Sequence, residues 1–467
     1  TVQTKLRETV SVKDFGAVGD GVTDDTAAIQ AALDSRTNGG ILFIPTGKYR
    51  ITDEIIVPPV GGLIISGSGG NDFRFGSPVP SGDGTFIFQE TDNKSIFVLT
   101  GGCSYMTIEN LTLASTLSLS PSPSGTNRYG IDIRDEIPNV LWSLTFNNLN
   151  FFNLTRGISC VDISAGTNPQ DLSVAPVGIN QCFFTYCQTG IYIDTNNADF
   201  WTTSNCFFFI PSGGDGFILK RYGMMFIHHC SAGATAVSNN RFIHVNGTAP
   251  LALDKISIDG CQTENLTNSI KIDYVGAYSD KVAIQVSNSV FELGSDVYLG
   301  NAVDYISTNN RYVTGNIYID DVGVRLSTRD DIFVSGTADI YFTSSDYDTA
   351  FHQTDWGSSP SATYQNIVYN NGKMRSSQNT LSVANTTYTT IYTTPSEAAI
   401  YEVFAFLPND VADFDSVATV VCDGTNLTIR NRDESSGLIF QVTGRDIEVW
   451  QNTGVTQNVG YIIGRIR

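Results

Sequence analysis

The stretch V-K-D-F-G-A-V-G-D-G-V-T-D-D-T-A-A-I-Q-A-A-L-D-S, residues 12–35, decides the fold of this chain. It predicts a glycine-rich turn that leads into one short amphipathic helix, with Thr23 or Asp24 as the N-cap. The segment I-L-F-I-P-T-G-K-Y-R, residues 41–50, predicts the first strand and turn of a sheet. Because the following ~300 residues show almost no helical periodicity, we interpret the helix as a lid on the open end of a stack of strands.

An internal repeat centred on cysteine indicates such a stack. Segments of the form V-G-I-N-Q-C-F-F (177–184) recur so that four cysteines follow one another at steps of 24, 24 and 31 residues, and Ser289 continues the series. A unit of this size cannot bury its inner face alone, so the units must stack as a parallel solenoid. The four cysteines are expected to form an interior column of free thiols, at Cys182, Cys206, Cys230 and Cys261.

A second type of strand follows most of these segments. It has the form G-I-x-I, as in Gly190-Ile191-Tyr192-Ile193, so alternate residues point inward and outward. Before each cysteine, two outward residues stand in succession, which predicts a bend in the chain. The bend predicts two outward columns, which are Asn180, Ser204, His228, Asp259 and Ser287, and beside them Gln181, Asn205, His229, Gly260 and Asn288.

Composition limits the classes of partner. The 467 residues carry 27 Lys and Arg against 47 Asp and Glu, a formal net charge of −20. Nucleic acid and anionic membranes would be repelled, so neither is predicted as a partner, and a strongly anionic substrate requires a local basic patch. No apolar run approaches the ~20 residues that span a bilayer. Eight cysteines without a close C-x-x-C pair favour neither a disulfide scaffold nor a zinc site, and we predict no metal and no cofactor.

These motifs resemble a known fold. The segment D-F-G-A-V-G-D-G-V-T-D-D-T-A-A-I-Q-A-A-L, followed by G-G-I-L-F-I-P-T-G-K-Y, closely resembles the start of pectate-lyase-like right-handed parallel β-helix proteins. The resemblance implies an all-β solenoid with an N-terminal capping helix. Pectinases, epimerases and phage tailspikes or depolymerases share this fold, so the fold leaves the reaction open. The polygalacturonase signatures and the R-x-P-x-x-R motif of pectate lyases are missing from the coils, which disfavours both of those classes.

The C-terminal third resembles the region that follows the β-helix in many phage tailspikes. Short alternating strands with turn signals predict a β-sandwich there. The resemblance implies a homotrimer in the virion tail, assembled in the bacterial cytoplasm and attached to the phage tail or baseplate through a region outside this chain. It also implies that the partner is a bacterial surface polysaccharide. The expected domains are a cap and first coil at 1–50, a catalytic β-helix at 51–325, a connecting segment at 326–375 and a β-sandwich for trimerisation or carbohydrate binding at 376–467.

Tailspikes of this kind resemble glycosidases, which use two carboxylic acids. Counting three residues beyond the aligned column gives Glu264 and Glu292 at the same position of neighbouring coils, with backbones about 4.8 Å apart. Two like charges at that spacing would raise the pKa of one carboxyl and leave a proton for general acid catalysis. Asp259 in the bend column and Asp273 on the other strand type are further catalytic candidates.

Sugar binding requires aromatic faces and hydrogen-bonding side chains. The candidates for substrate binding are His228, His229, Trp201, Tyr192, Lys220, Lys271 and Tyr298.

Three functions remain open from the sequence. The leading hypothesis is a phage depolymerase that hydrolyses glycosidic bonds of capsular or O-antigen polysaccharide during host recognition and entry. A lyase would act by β-elimination on a uronic acid, and His228, His229 and Lys220 are its candidate bases. A tail adhesin would bind glycan without cutting it. The linkage, the choice between retention and inversion, and the choice between a site within one subunit and a site between subunits also stay open.

Overall fold

Short parallel strands of three classes, repeated coil after coil, build the first part of the chain. In this computed structural model the chain divides into two units, residues 1–298 with 303–310, and residues 299–302 with 311–467. The structure describes residues 8–69, 84–115, 127–134, 140–162, 172–195, 198–247, 255–273, 282–300, 303–319, 325–329, 331–333, 340–342, 368–370, 373–375, 379–383, 389–393, 398–406, 416–423, 427–434, 438–443, 446–451 and 457–465.

We name the strand classes a, b and c in the order in which each coil presents them. The a strands are Thr9–Ser11, Gly40–Ile44, Leu63–Gly67, Val177–Asn180, Trp201–Ser204, Met224–His228, Lys255–Asp259, Val282–Ser287 and Val303–Thr308. The b strands are Asp20–Asp24, Gly47–Ile51, Thr85–Gln89, Phe183–Thr185, Phe207–Phe209, Ser231–Gly233, Gln262–Glu264 and Val290–Glu292. In two coils, a and b form one long strand, Ser104–Ala114 and Trp142–Phe152.

The c strands form a separate parallel stack. They are Ile55–Val57, Phe97–Leu99, Tyr129–Arg134, Arg156–Val161, Thr189–Asp194, Asp215–Arg221, Arg241–Val245, Asn268–Ile272 and Asp296–Leu299. Strands of each class pair in parallel with the same class on the next coil. The repeat therefore stacks as the predicted parallel β-helix.

The N-terminal helix, Thr26–Asp34, stands in chain order where the first coil would have a c strand, after the 3₁₀ helix Val12–Phe15. Its Ile29, Ala32 and Leu33 are buried. Gln30 exchanges two hydrogen bonds with the backbone of Ile56 in the first c strand, at 2.8 and 2.9 Å. The helix thus provides hydrogen-bond partners for the exposed backbone of a strand edge, which is what a cap must do.

The predicted N-cap is wrong by one or two residues. Thr23 and Asp24 belong to a b strand, and the N-cap residue is Asp25. The Asp25 carboxylate accepts hydrogen bonds from the backbone of Val18 and Gly19, at 2.6 and 3.0 Å, so it closes the preceding turn. Asp24 accepts from the backbone of Thr26 and remains a near neighbour of the helix start.

Side chains repeat along the interior of the solenoid. Phe184 stacks between Phe151 and Phe208, with ring centroids 4.7 and 4.6 Å apart and planes within 5° of parallel. The c strands have glycine beside these rings. A Cβ on Gly190 would lie 2.6 Å from the carbonyl oxygen of Gly216 and 2.8 Å from Phe208, so only glycine fits there.

The cysteine column is confirmed as an interior column of free thiols. All seven cysteines whose side chains the structure describes are buried and unpaired. Burial raises the pKa of the Cys206 thiol well above its ordinary value. The column continues as expected, because the backbone of Cys261 donates to Ser289 Oγ at 3.1 Å and the backbone of Ser289 donates to Asn310 Oδ1 at 2.8 Å. These cysteines fill space in the core and are shielded from redox chemistry.

The second unit contains antiparallel sheets. Five strands pair in the order Asn379–Val383, Gln457–Arg465, Ala398–Phe406, Ser416–Asp423 and Leu427–Glu434. Three more pair as Thr389–Thr393, Asp446–Gln451 and Leu438–Thr443. This unit also contains parallel strands, since Arg311–Tyr312 pairs in parallel with Ile332–Phe333, and Ile317–Ile319 with Ile340–Phe342. Arg325–Arg329 belongs to the same sheet as the a and b strands, and Val368–Asn370 pairs antiparallel with Lys373–Arg375.

The expected fold class is confirmed. The chain is an all-β, right-handed parallel β-helix with an N-terminal capping helix and a C-terminal β-sandwich of antiparallel sheets. Among the described residues, no helix is long and apolar enough to cross a membrane.

Candidate active site

The predicted site residues lie on three different parts of each coil, so they do not form one site. His228, His229 and Asp259 lie at the bend between a and b strands. Glu264 and Glu292 end two b strands. The other candidates lie on c strands or, in the case of Trp201, inside the solenoid.

The bend columns are formed as predicted, and they are hydrogen-bonded from coil to coil. The second residue of the bend has a positive φ of 50° to 62° in successive coils, a conformation that glycine and asparagine adopt most readily. Asn205 Nδ2 donates to Asn180 Oδ1 at 3.0 Å, and Asn288 Nδ2 donates to Asp259 Oδ1 at 2.7 Å. The residues with this positive φ are Asn110, Asn148, Gln181, Asn205, His229, Gly260, Asn288 and Asn309.

Asp259 is a member of this ladder. Hydrogen bonds from Asn288 and Ser287 hold the pKa of its carboxyl below the usual value, so it stays ionised. Such a group suits the role of acceptor in a bend better than that of general acid. The two histidines stack on the same surface: the His228 ring lies parallel to Phe226, and the His229 ring covers Gly260.

Glu264 and Glu292 are direct register partners on neighbouring b strands. The predicted position of the two residues side by side on neighbouring coils is therefore confirmed. Glu264 is exposed and Glu292 is partly buried.

Glu264 forms one wall of a groove of about 580 Å³. Tyr186, Phe207 and Phe209 form the opposite wall, and the Tyr186 ring meets the Phe209 ring edge-on at 5.0 Å. Gly233 lies on the floor between them, because Phe209, Gly233 and Glu264 are register partners on three successive coils. Two coil steps separate the backbone of Phe209 from that of Glu264 by about 9.6 Å, a spacing that suits one sugar ring stacked on an aromatic face.

Two of the predicted sugar-binding aromatics are buried instead. Trp201 is fully buried, and its indole Nε1 donates to the carbonyl oxygen of Val174 at 2.8 Å. Its register partners are Val177 and Met225, so it occupies an inward position of the a strand. Tyr192 is 8% exposed. Neither ring is free to stack on a sugar, and both predictions are wrong for that reason.

The remaining candidates lie on c strands or directly after one, and Lys271 and Asp273 belong to a charged network. Lys271 Nζ is 2.8 Å from an Asp273 oxygen and 5.8 Å from the centre of the Tyr298 ring. Lys220 lies 5.8 Å from the centre of the Tyr192 ring. Partial burial pushes the pKa of Asp273 up, but the hydrogen bonds from His244 and Lys271 outweigh it and hold this pKa at about 2. Asp273 is therefore an ionised partner in this network rather than a proton donor.

His244 predicts a pH dependence of stability. It is buried between Asp273, 2.8 Å from Nε2, and Asp215, 3.4 Å from Nδ1. Burial lowers the pKa of His244, but these two carboxylates raise it further than burial and nearby Arg241 lower it. A raised folded-state pKa means that the protonated ring stabilises the fold fully below about pH 6.5 and that this contribution is lost as pH rises through the folded-state pKa.

We therefore expect His244→Gln to destabilise the protein most at acidic pH. The measurement is the urea midpoint of wild type and variant between about pH 5.5 and 9, which brackets the ordinary histidine pKa. The gap between the two midpoints should narrow with rising pH. A gap that stays constant or widens would contradict the protonated ion pair.

A cavity on the outer face of the c strands was missed by the sequence reasoning. It measures about 440 Å³, and we call it the arginine cavity. Asp132 is 4% exposed and accepts hydrogen bonds from Ser95 Oγ at 3.0 Å and from Arg134. Arg134 also pairs with Glu54. The lining residues are Asn93, Ser95, Asn127, Tyr129, Asp132, Arg134, Arg156, Ser159 and Val161.

The electrostatics of Asp132 mark this cavity as a second candidate site. Burial raises the pKa of Asp132, although Arg134 and Ser95 act in the opposite direction. A carboxyl with a raised pKa beside an open cavity is a common feature of functional sites. The sequence signal was present in Tyr129-Gly130-Ile131-Asp132-Ile133, which has the G-I-x-I form with an acid at the outward position. Among the described residues, no group of three or more His, Cys, Asp or Glu side chains is arranged to hold a metal ion.

Comparisons with known proteins extend the resemblance seen in the sequence. Mannuronan C5-epimerase AlgE5 of Azotobacter vinelandii is 59% identical over 44 residues, which are 9% of this chain and 4% of the epimerase. The pre-neck appendage protein of Bacillus phage B103 is 28% identical over 213 residues, which cover 42% of this chain and 22% of the phage protein. Both matches span less than a quarter of the relative's own length.

The tailspike protein of Acinetobacter phage vB_ApiP_P1 is similar in structure, with a TM-score of 0.43 and 11% identity over 98% of this chain and 88% of the tailspike. Residues 9–218 match the family model described as rhamnogalacturonase A/epimerase, pectate lyase-like. The first part of this chain, residues 9–218, is thus similar to the pectate-lyase-like family.

Proposed function

We propose that this protein is an endo-acting enzyme of a phage tail that hydrolyses glycosidic bonds in bacterial capsular or O-antigen polysaccharide. The observation that carries the proposal is the register pair Glu264 and Glu292, of which Glu264 lines a groove one sugar ring wide and Glu292 lies one coil beyond it. The similarity to a phage pre-neck appendage protein supports the place in a phage tail. The similarity to the pectate-lyase-like family supports a polysaccharide substrate.

The groove supplies the parts that hydrolysis requires. A sugar ring stacked against Phe207 and Phe209 would present its glycosidic oxygen toward the opposite wall, where Glu264 stands. One carboxyl protonates the leaving oxygen, and the other activates water or attacks the anomeric carbon. Gly233 leaves space at the bottom of the groove, because a Cβ added there would project into the groove close to the Glu264 backbone.

The lyase hypothesis receives less support from the geometry. His228 and His229 lie at the a-to-b bend, whereas Lys220 lies on a c strand. A lyase site would require a base and a cation to meet at one sugar, and Lys220 lies on a different face of the coil from the two histidines.

Product analysis tests the proposal. The purified protein is incubated with a panel of bacterial capsular and O-antigen polysaccharides, and released oligosaccharides are weighed by mass spectrometry. Hydrolysis adds one water per cut, and we expect that product. Unsaturated uronate ends without added water would establish the lyase, and tight binding without release would establish the adhesin.

The wider assembly also belongs to the proposal. We propose a homotrimer whose catalytic part is the β-helix at 51–325, preceded by the cap and first coil at 1–50. The segment 326–375 would connect it to a β-sandwich at 376–467 that serves trimerisation or carbohydrate binding. Attachment to the phage tail would place the enzyme where it meets the cell surface before the rest of the virion.

A further inference from the structure

The groove beside Glu264 is lined without a positive charge. Among the described residues that line it, Glu264 is the one charged side chain, and no lysine, arginine or histidine is present. The other polar side chains of the lining belong to serine, threonine, glutamine, asparagine and tyrosine, which carry no charge at neutral pH. A carboxylate on a bound sugar would therefore meet a like charge and no counter-charge.

The next coil adds a second negative charge. Glu292 is the register partner of Glu264, one coil beyond the groove. The lysines considered for an acidic sugar lie on another face of the coil, because Lys220 and Lys271 are both c-strand residues. The two histidines of the bend do not line the groove either. The local field at the groove is therefore negative, and it repels sugar acids.

The groove instead offers surfaces that suit an uncharged sugar. The half-buried rings of Phe207 and Phe209 form one wall, and a sugar ring stacks its C–H faces on such aromatic surfaces. The bottom is open at Gly233, because a Cβ added there would have one neighbouring contact, the Glu264 carbonyl oxygen at 3.4 Å. Hydroxyl and amide side chains of the lining supply neutral donors and acceptors for sugar hydroxyls.

We propose that the groove binds an uncharged sugar, a hexose or an N-acetylhexosamine, and discriminates against sugar acids. The inference rests on the proposed function, because it takes the ligand to be the part of the glycan next to the cut, and it adds the class of sugar found there. Two like unit charges about 4 Å apart in water repel enough to lower affinity about fivefold, and no cation among the described lining residues compensates that repulsion. A lyase that acts on a uronic acid would require the opposite preference.

Ligand binding without turnover tests the proposal. We would record saturation-transfer NMR with the methyl glycosides of glucose, galactose, mannose, N-acetylglucosamine and N-acetylgalactosamine, and with the C6 uronate of each. The members of a pair differ only in a neutral hydroxymethyl group or a carboxylate. We expect at least one neutral glycoside to bind, at least about fivefold more tightly than its uronate at low ionic strength. Binding of none of the neutral glycosides, or equal or tighter binding of the uronates, would overturn the proposal.

A steric variant locates the binding in the groove. Gly233→Val fills the bottom of the groove from a strand position where the added Cβ makes an ordinary contact, so the fold should persist and the neutral glycoside should bind at least about tenfold more weakly. Gly178→Val is the matched control, since Gly178 lies on an a strand outside the groove and no atom lies within 4 Å of its added Cβ. Neutral affinity that is the same in wild type and Gly233→Val would overturn the assignment to the groove.

A charge variant tests the electrostatic origin of the preference. Gln262 is exposed and lines the groove, so Gln262→Lys places a cation beside the bound sugar and should tighten uronate binding at least about fivefold. Gln285→Lys is the control, because Gln285 is an exposed glutamine of an a strand outside the groove. An unchanged preference in Gln262→Lys, or an equal gain in Gln285→Lys, would show that the lining charge does not set the preference, which would overturn the proposal.

Failure of this inference is distinct from failure of the hydrolytic mechanism. The binding experiments require no cleavage, whereas hydrolysis is judged by the mass of the products. Tandem mass spectrometry of any released oligosaccharide also identifies the residues on the two sides of the cut. We expect at least one of them to be uncharged, and sugar acids on both sides would overturn the neutral groove while hydrolysis stood.

Discussion

Glu264→Gln lowers the rate of oligosaccharide release by at least about 100-fold, which is the lower end of the contribution of general acid or base catalysis. The amide has nearly the same shape as the carboxyl but neither gives up nor accepts the reacting proton. Glu264 is exposed and its backbone pairing does not involve the side chain, so the fold and its thermal stability should be unchanged. The measurement is the initial rate on the polysaccharide that the wild type cleaves.

Two further variants complete the test of this pair. Glu292→Gln should also lose at least about 100-fold if it is the second carboxyl, and each variant should lose one limb of the bell-shaped pH profile. Glu90→Gln is the matched control: Glu90 is an exposed carboxylate that pairs with Arg50, and its loss should leave the rate within about twofold. Full activity of both Glu264→Gln and Glu292→Gln would remove this pair from the mechanism.

Binding separates a catalytic from a structural effect. The Glu264→Gln protein should still bind the released oligosaccharides, because Phe207 and Phe209 on the opposite wall of the groove remain in place. If the rate and the oligosaccharide affinity fell together by the same factor, Glu264 would contribute to sugar binding rather than to the chemical step.

The register of the solenoid could be predicted from sequence because each coil repeats one local pattern. Counting from the cysteine column placed Glu264 beside Glu292, and the structure pairs them directly. The same alignment put Trp201 level with Val177, an inward position, so the burial of Trp201 was already implied. The error came from judging that tryptophan by its chemistry instead of by its place in the repeat.

The arginine cavity could not be predicted in the same way. Its central pairing joins Arg134 to Glu54, residues 80 positions apart in different coils. Sequence spacing fixes which residues share a column, whereas side-chain pairing between columns depends on rotamers and on the lateral stagger of the coils.

The asparagine-rich bend between the a and b strands could be predicted from the sequence only in part. Its positions follow from the sequence, but their role does not. His229 stands in the column where the chain requires a positive φ, and Asp259 stands in the column beside it and accepts a coil-to-coil hydrogen bond. These requirements account for the residues without any reference to a substrate.

The largest expected effect on stability comes from the phenylalanine stack. Phe184→Ala should reduce the free energy of unfolding by about 3–5 kcal/mol, the ordinary cost of emptying a buried phenylalanine site. Phe184 is 2% exposed, and its ring lies between those of Phe151 and Phe208 at 4.7 and 4.6 Å. The rigid coils above and below cannot close over the gap, because parallel backbone pairing holds them about 4.8 Å apart.

The adjacent residue provides the matched control. Phe183 is 40% exposed, points outward, and meets the Phe207 ring at 6.3 Å. Phe183→Ala removes the same atoms one position away and should cost less than about 1 kcal/mol. Urea or guanidinium unfolding of the two variants, followed by far-UV circular dichroism, measures the difference. Equal losses in the two variants would show that the stack contributes no more than surface phenylalanine does, and the stability of the solenoid would then have to come from its backbone pairing and its aliphatic columns.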